Sequence, residues 1–403
     1  MEQYSLITTL VAAIVLAFLF GFAASRLRLS PIMGYLLAGF VVGPHSPGFE
    51  ADVEMALQLS EIGVILLMFG IGLKISIDDI WSMRLTSVPA SVAQTLAVGL
   101  VGAMTGWALG MPFVEGALLG ATISVASTIV FLRAIEDRRM LKSEEARVGI
   151  SWLLVEDLLI ILTIVILPAL VAAISGDVAA ANPLRLLSAV GITLAKIAAF
   201  VALMLVVGAR VFPWLIVQVA HAKSRELMSL GTLALALGVA YAAFTWFDAS
   251  FALGAFLAGL VLNGTKFSHR VAEDSLPLRD TFAVLFFVAV GMLFDPGVIL
   301  RQPVALAAIV FVTIVAKAVL AYIPLRLTGQ SKPVATFVSI AVAQTGEFSF
   351  VLAGMGLQLG VMQPETYNLV LASSLISIAL NPILLRLAPV PQPPKPAPLP
   401  LSS

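Results

Sequence analysis

Apolar runs of about 20 residues recur along this chain, each bounded by clusters of polar, Pro and Gly residues. A run of that length matches the hydrocarbon thickness of a bilayer, where only a helix or a closed barrel satisfies its own backbone. Cutting at the polar clusters predicts about thirteen transmembrane segments, at 5–25, 31–43, 55–74, 85–109, 114–133, 148–174, 185–212, 226–247, 250–263, 277–294, 304–326, 334–358 and 366–387. Charged residues make up only 11% of the 403 residues, against about 25% in soluble domains, so the sequence predicts an all-α polytopic membrane protein. The basic residues test the parse. Of the 23 Lys and Arg, all but Arg185, Arg301, Lys196 and Lys317 follow odd-numbered segments or the C-terminal end. By the positive-inside rule this predicts an external N-terminus and a cytosolic C-terminus. The first run lacks a basic leader or small-residue cleavage site and reads as a retained helix.

Segment six, Gly149 to Pro168, carries Glu156 and Asp157 side by side near its middle. A charged residue at bilayer centre costs about 2.5–3.5 kcal/mol on insertion scales, which marks an ion or proton path. Neighbouring helix positions diverge by about 100°, so the two carboxylates serve different surroundings. Other classes fit poorly. Formal net charge is +0, which removes the footing for nucleic acid. There is no Cys, and the three histidines have no metal-ligand spacing. No zinc-protease, serine-hydrolase or phosphate-loop motif is present, so neither catalysis nor nucleotide hydrolysis is encoded, and no cofactor is expected.

The chain also repeats itself. Tyr35-Leu-Leu-Ala-Gly39 resembles Ala255-Phe-Leu-Ala-Gly259, 220 residues on, and Ile65 to Gly72 resembles Val284 to Gly291 at nearly the same offset. The offset steps over seven helices, so the halves are inverted, as in secondary transporters whose site lies between broken helices at midplane. Segment twelve holds the polar run Gln344-Thr345-Gly346-Glu347-Phe-Ser349, and the same offset lands on Thr122-Ile-Ser124-Val-Ala-Ser127-Thr128 in segment five. Back-bonding by Ser and Thr explains either run alone. Both runs at the repeat offset predict two crossed broken helices. Lys317 lies about 20 Å into segment eleven, too deep to reach the surface easily, and reads as a counter-charge for Glu156, Asp157 or Glu347. Glu347 is expected to cap the broken helix or pair with a base. Lys196 reads as a scaffold or subunit-interface lysine, and Glu61 and Glu115 as solvated carboxylates.

Five motifs carry a family resemblance: Pro31 to Gly39 with Gly43-Pro44, Glu61 to Leu73, Phe251 to Gly259, Phe286 to Phe294, and Gln344 to Leu352. Together they resemble the monovalent cation:proton antiporter-2 family, most closely its Kef-type potassium:proton branch. The resemblance implies a sodium/proton-antiporter fold, a homodimer, and an essential carboxylate and core lysine that map onto Asp157 and Lys317. It also implies a cytosolic nucleotide-binding regulatory domain or subunit. Kef-type relatives often have Gln-Asp where this chain has Glu156-Asp157, so the resemblance leaves ion choice and stoichiometry open. After residue 388 comes a Pro-rich run, 389–403, expected to be extended.

The resulting expectation is a secondary active cation:proton antiporter of the cell inner membrane, potassium favoured over sodium. A membrane domain at 1–388 comprises repeat one (about 5–174), a linker helix (about 185–212) and repeat two (about 226–387). Cation and proton compete for Asp157. Glu156, Thr122, Ser124, Ser127 and Thr128 complete the ion site, with Lys317, Gln344, Thr345, Gly346 and Glu347 as support. The rival from another class is a channel or gated efflux protein on the same fold, opened by a cytosolic regulator.

Overall fold

Apolar text punctuated by Pro, Gly and Ser folds, among the described residues, into helices with no strand. The computed structural model describes residues 5–27, 29–46, 52–73, 87–140, 142–175, 183–222, 224–247, 249–263 and 268–388. The Pro-rich 389–403 lies outside them. The helices are α1 (Ser5–Arg26), α2 (Pro31–Val42), α3 (Val53–Gly72), α4 (Ser87–Ala108), α5 (Phe113–Ser124), α6 (Thr128–Asp137), α7 (Glu144–Ser175), α8 (Pro183–Leu203), α9 (Ala209–His221), α10 (Arg225–Phe247), α11 (Phe251–Leu262) and α12 (Ser268–Met292), then α13 (Val298–Arg301), α14 (Pro303–Phe311), α15 (Lys317–Leu327), α16 (Lys332–Ala341), α17 (Glu347–Gln358) and α18 (Pro364–Leu384). π-helical turns join α8 to α9 and α14 to α15. Among the described residues, nine stretches are long and apolar enough to cross a bilayer, with shorter apolar helices between them.

Local sequence sets the ends. Pro31 and Pro364 stand in first turns, where no backbone N–H is needed, and Ser250 and Ser331 cap α11 and α16 through their hydroxyls. α12 starts at Ser268, nine residues before the predicted 277, because its early charged residues continue a helix outside the apolar run. Several helices turn large apolar residues both inward and outward. On α4, Leu96, Leu100, Met104 and Trp107 point outward at helical spacing, while Ala90, Gln94 and Val98 are buried. The outward stripe suits lipid.

Two groups of helices result. In one, α2 and α3 both pack on α12, and α3 packs on α11. In the other, α4 packs on α5, α7 and α15, and α16 and α17 pack on α7. The repeat is written into the first group's closest contacts. A Cβ on Gly39 would run into the Val288 carbonyl oxygen and lie 2.9 Å from Gly291 Cα; one on Gly259 would run into the Phe69 oxygen and lie 3.0 Å from Gly72 Cα. Exchanging each residue for its repeat counterpart turns the Gly39–Gly291 contact into the Gly259–Gly72 contact. Halves related by a two-fold axis have that property.

Gly39→Ala therefore forces two backbones apart and is expected to destabilise by about 1–3 kcal/mol, the usual range for overpacking. Gly259→Ala should cost about the same. Gly99→Ala, with nothing within 4 Å of the new methyl, is the matched control and should be neutral or slightly stabilising. Thermal unfolding in detergent reads all three; equal melting of Gly39→Ala and Gly99→Ala would refute the close approach.

Candidate functional site

The polar runs in segments five and twelve are where those helices break. α5 stops at Ser124 because Val125 is extended (φ −100°, ψ 140°), and Ser127 then caps α6, its hydroxyl accepting the Val130 N–H at 3.3 Å. α16 stops at Ala341, and Gly346, extended at φ −103° and ψ 173°, leads into α17. The breaks cross. Gly346 donates its N–H to the Val125 carbonyl at 3.1 Å, and a Cβ there would sit 2.7 Å from the Ala126 oxygen, so Gly permits the approach. Ser127 donates to Glu347 Oε2 at 3.0 Å across 220 residues, the repeat offset itself. Counterparts that touch lie on the two-fold axis, so the crossing is the centre of the molecule's internal symmetry.

α7 brings its two carboxylates to this crossing in different roles. Glu156 is fully buried and accepts the Ala126 N–H at 2.8 Å and the Trp152 indole N–H at 2.8 Å. It supplies the acceptor that the first break withdrew from its own backbone. Asp157, 7% exposed, accepts the Thr128 hydroxyl at Oδ2 (3.1 Å), while its buried Oδ1 has no hydrogen-bond partner among the described residues. A buried carboxylate oxygen without a donor is costly unless a cation or proton fills the position.

Lys317 enters from the other side. Its fully buried ammonium donates to the Gln344 carbonyl at 2.7 Å and the Ile123 carbonyl at 3.2 Å, at the C-terminal ends of α16 and α5. Helix C-termini carry partial negative charge, so one cation serves both. Lys317 follows directly on the π turn Val312–Ala316, and such turns often mark functional positions.

The structure thus gathers the sequence-predicted residues at one place and refines their roles. Lys317, expected as a counter-charge for Glu156, Asp157 or Glu347, has its charge interaction with Glu156, while the hydrogen bonds of both go to broken-helix ends and Trp152. Thr122 and Ser124 turn their hydroxyls to their own helix, at the Leu119 and Ala121 carbonyls (2.7 and 2.8 Å). The carbonyls at the first break are engaged: Thr122 accepts from Ser349, Ile123 from Lys317, Ser124 from Gln94, Val125 from Gly346, and Ser127 from Gln344. Thr345 meets the Ser377 hydroxyl through both its N–H (3.4 Å) and its own hydroxyl (3.3 Å).

Glu115 corrects the sequence expectation. It is 3% exposed and accepts the Gln363 N–H at 2.8 Å, capping the start of α18 instead of facing solvent. Glu61 is exposed, as is Lys196 on α8. Sequence reasoning missed Trp152, Gln94, Ser377 and Asn381. Asn381 donates to the Ile340 and Ala341 carbonyls at 2.9 and 3.3 Å, satisfying the end of α16. A signal was present: Ser373, Ser377 and Asn381 recur every fourth residue in an apolar helix, and Ser377 stands 220 residues after Asp157.

Residues 12–388 match the family described as sodium/hydrogen exchanger, transmembrane. The chain belongs to that family. Among its relatives, Escherichia coli YbaL, a cation/proton antiporter by name, is 47% identical over 383 residues, covering 95% of this chain and 68% of YbaL. The glutathione-regulated potassium-efflux system protein KefC of Klebsiella pneumoniae is 28% identical over 385 residues (96% of this chain, 60% of KefC), and K(+) efflux antiporter 4 of Arabidopsis thaliana is 29% identical over 386 residues (95% and 64%). The chain therefore spans about two thirds or less of the length of these three relatives. KefC among them is of the type that the motifs indicated. The sodium proton antiporter MjNhaP1 of Methanocaldococcus jannaschii superposes with a TM-score of 0.74 at 17% identity, covering 96% of this chain and 99% of that one. That likeness shows a shared fold. This exchanger is a multi-pass membrane transporter whose family handles cations and protons without a cofactor.

Proposed function

We propose that this chain is a secondary active antiporter that exchanges a monovalent cation, potassium in preference to sodium, for a proton at Asp157. One observation carries the reading: Asp157 Oδ1 is buried beside two crossed broken helices and has no donor of its own. A cation or a proton fills that position, never both. Competition couples the fluxes, because a bare carboxylate is costly to move through an apolar barrier. Thr128 holds the other oxygen and orients the carboxylate. Glu156 and Lys317 keep the breaks in place while the helix group around them moves to alternate access. Potassium is favoured because relatives named for potassium efflux align over 95–96% of the chain.

The fitting arrangement is a homodimer in the cell inner membrane with repeats at about 5–174 and 226–387, an external N-terminus and a cytosolic C-terminus. A cytosolic nucleotide-binding domain or subunit is its natural partner, given how much of KefC lies outside the alignment.

Proteoliposomes loaded with a pH-sensitive dye test the reading. An imposed potassium gradient should move protons against it, with sodium less effective and lithium compared alongside. A potassium gradient that sets only the membrane voltage, with no coupled proton movement, would overturn the proposal in favour of a channel. Protease protection of tagged termini in the same vesicles checks orientation.

A further inference from the structure

We propose that Gln94 is the repeat-one counterpart of Lys317: a positioning residue that holds the first helix break as the lysine holds the second. Gln94 Nε2 donates to the Ser124 carbonyl at 3.3 Å, and Lys317 Nζ donates to the Gln344 carbonyl at 2.7 Å. Residues 124 and 344 are one repeat offset apart, so the two side chains grip the same carbonyl of the two halves. Their helices correspond as well. Gln94 lies on α4 in segment four and Lys317 opens α15 in segment eleven, and α4 and α15 pack against each other. The strict counterpart of Lys317 is Ala97, one helical turn from Gln94 on the same face. Gln94 is fully buried, and its Oε1 has no partner among the described residues. An amide kept merely to fill a core would use both ends. This one spends its donor on the break.

The grip leads to the exchange site. Ser124 is the last residue of α5, and four residues on stands Thr128, whose hydroxyl holds Asp157 Oδ2. The Ser124 carbonyl of the first break is thus held by a neutral donor and its counterpart at Gln344 by the cation that also reaches Ile123, so the crossing carries one buried positive charge instead of two. In this role Gln94 governs how well Asp157 is presented, hence affinity for the cation more than maximal rate. That consequence rests on Asp157 being the exchange site; the counterpart relation does not.

Two arms test the proposal on the purified full chain. Gln94→Leu keeps the volume and removes the donor. In proteoliposomes it should raise the half-saturating potassium concentration about tenfold, with maximal exchange within about twofold of wild type. An unchanged half-saturation would refute the positioning role, and a loss of folding alone would appear as lower yield of protein with wild-type affinity. The second arm needs no transport. Lys317→Gln should lower the melting temperature in detergent, and adding Gln94→Lys should recover at least half of that loss, because a cation on either repeat reaches equivalent carbonyls. A double variant that melts no higher than Lys317→Gln overturns the counterpart relation even if the chain proves to be a channel.

Discussion

Asp157→Asn is expected to reduce cation-coupled proton exchange at least about 100-fold while leaving the melting temperature within a few degrees of wild type. Such a loss corresponds to about 2.7 kcal/mol, modest for removing a buried charge whose oxygen meets no donor among the described residues. The amide keeps the shape of the carboxylate, and its oxygen still accepts the Thr128 hydroxyl, so packing around α6 and α7 survives. What is lost is the capacity to hold a cation in one state and a proton in the next. Proton release from potassium-loaded vesicles measures the exchange, and circular dichroism melts report the fold. Wild-type-like flux in this variant would remove Asp157 from the mechanism.

Glu156→Gln should behave in the opposite way, impairing stability more than ion binding. The carboxylate accepts from both the Ala126 backbone and the Trp152 indole. An amide has one oxygen, so one of these buried N–H groups is left facing its NH2. Hydrogen bonds to charged groups contribute about 1.5–3 kcal/mol each, and that is the expected cost. Trp152→Phe removes one of the competing donors, so Glu156→Gln should cost less in that background. Lys317→Gln leaves helix-end carbonyls without their cation and is expected to cost about 3 kcal/mol. Glu156 and Lys317 do not share a hydrogen bond, yet both lie at one crossing, so the double change should recover part of the summed loss. The four-member cycle, read by thermal unfolding, measures this coupling. Strictly additive losses would show the two charges to be independent, and Glu347 would then be the residue to pair with Lys317 in a second cycle.

Much of this arrangement was legible in order along the chain. Unbroken apolar runs of about 20 residues point to helices, since a barrel strand needs only about ten residues and alternates apolar with polar ones. Proline and glycine at known positions mark where those helices begin and break. The expense of intramembrane charge singled out Glu156, Asp157 and Lys317, because nothing keeps such residues in an apolar span without a task. The repeat offset placed the two broken helices opposite each other before any coordinate was known.

The partners of each polar group were decided only by tertiary structure. Glu156 and Asp157 are neighbours in sequence and differ by about 100° on the helix, but which one meets backbone donors and which meets a threonine depends on where the break in α5 lands beside α7. Lys317 reads from sequence as a carboxylate's counter-charge, and Glu156 is that partner, but its hydrogen bonds go to carbonyls, since two broken helices converge where its side chain arrives. Glu115 looked solvated near a helix end, yet α18 starts against it and claims it as a cap. Gln94 gave no signal as a single amide in an apolar helix. Its meaning depends on one carbonyl in each repeat, and those carbonyls come together only when the halves fold around a common axis. Sequence determines which residues are too costly to be idle; the three-dimensional crossing determines what each of them holds, because hydrogen-bond partners lie within about 3 Å in space at any distance along the chain.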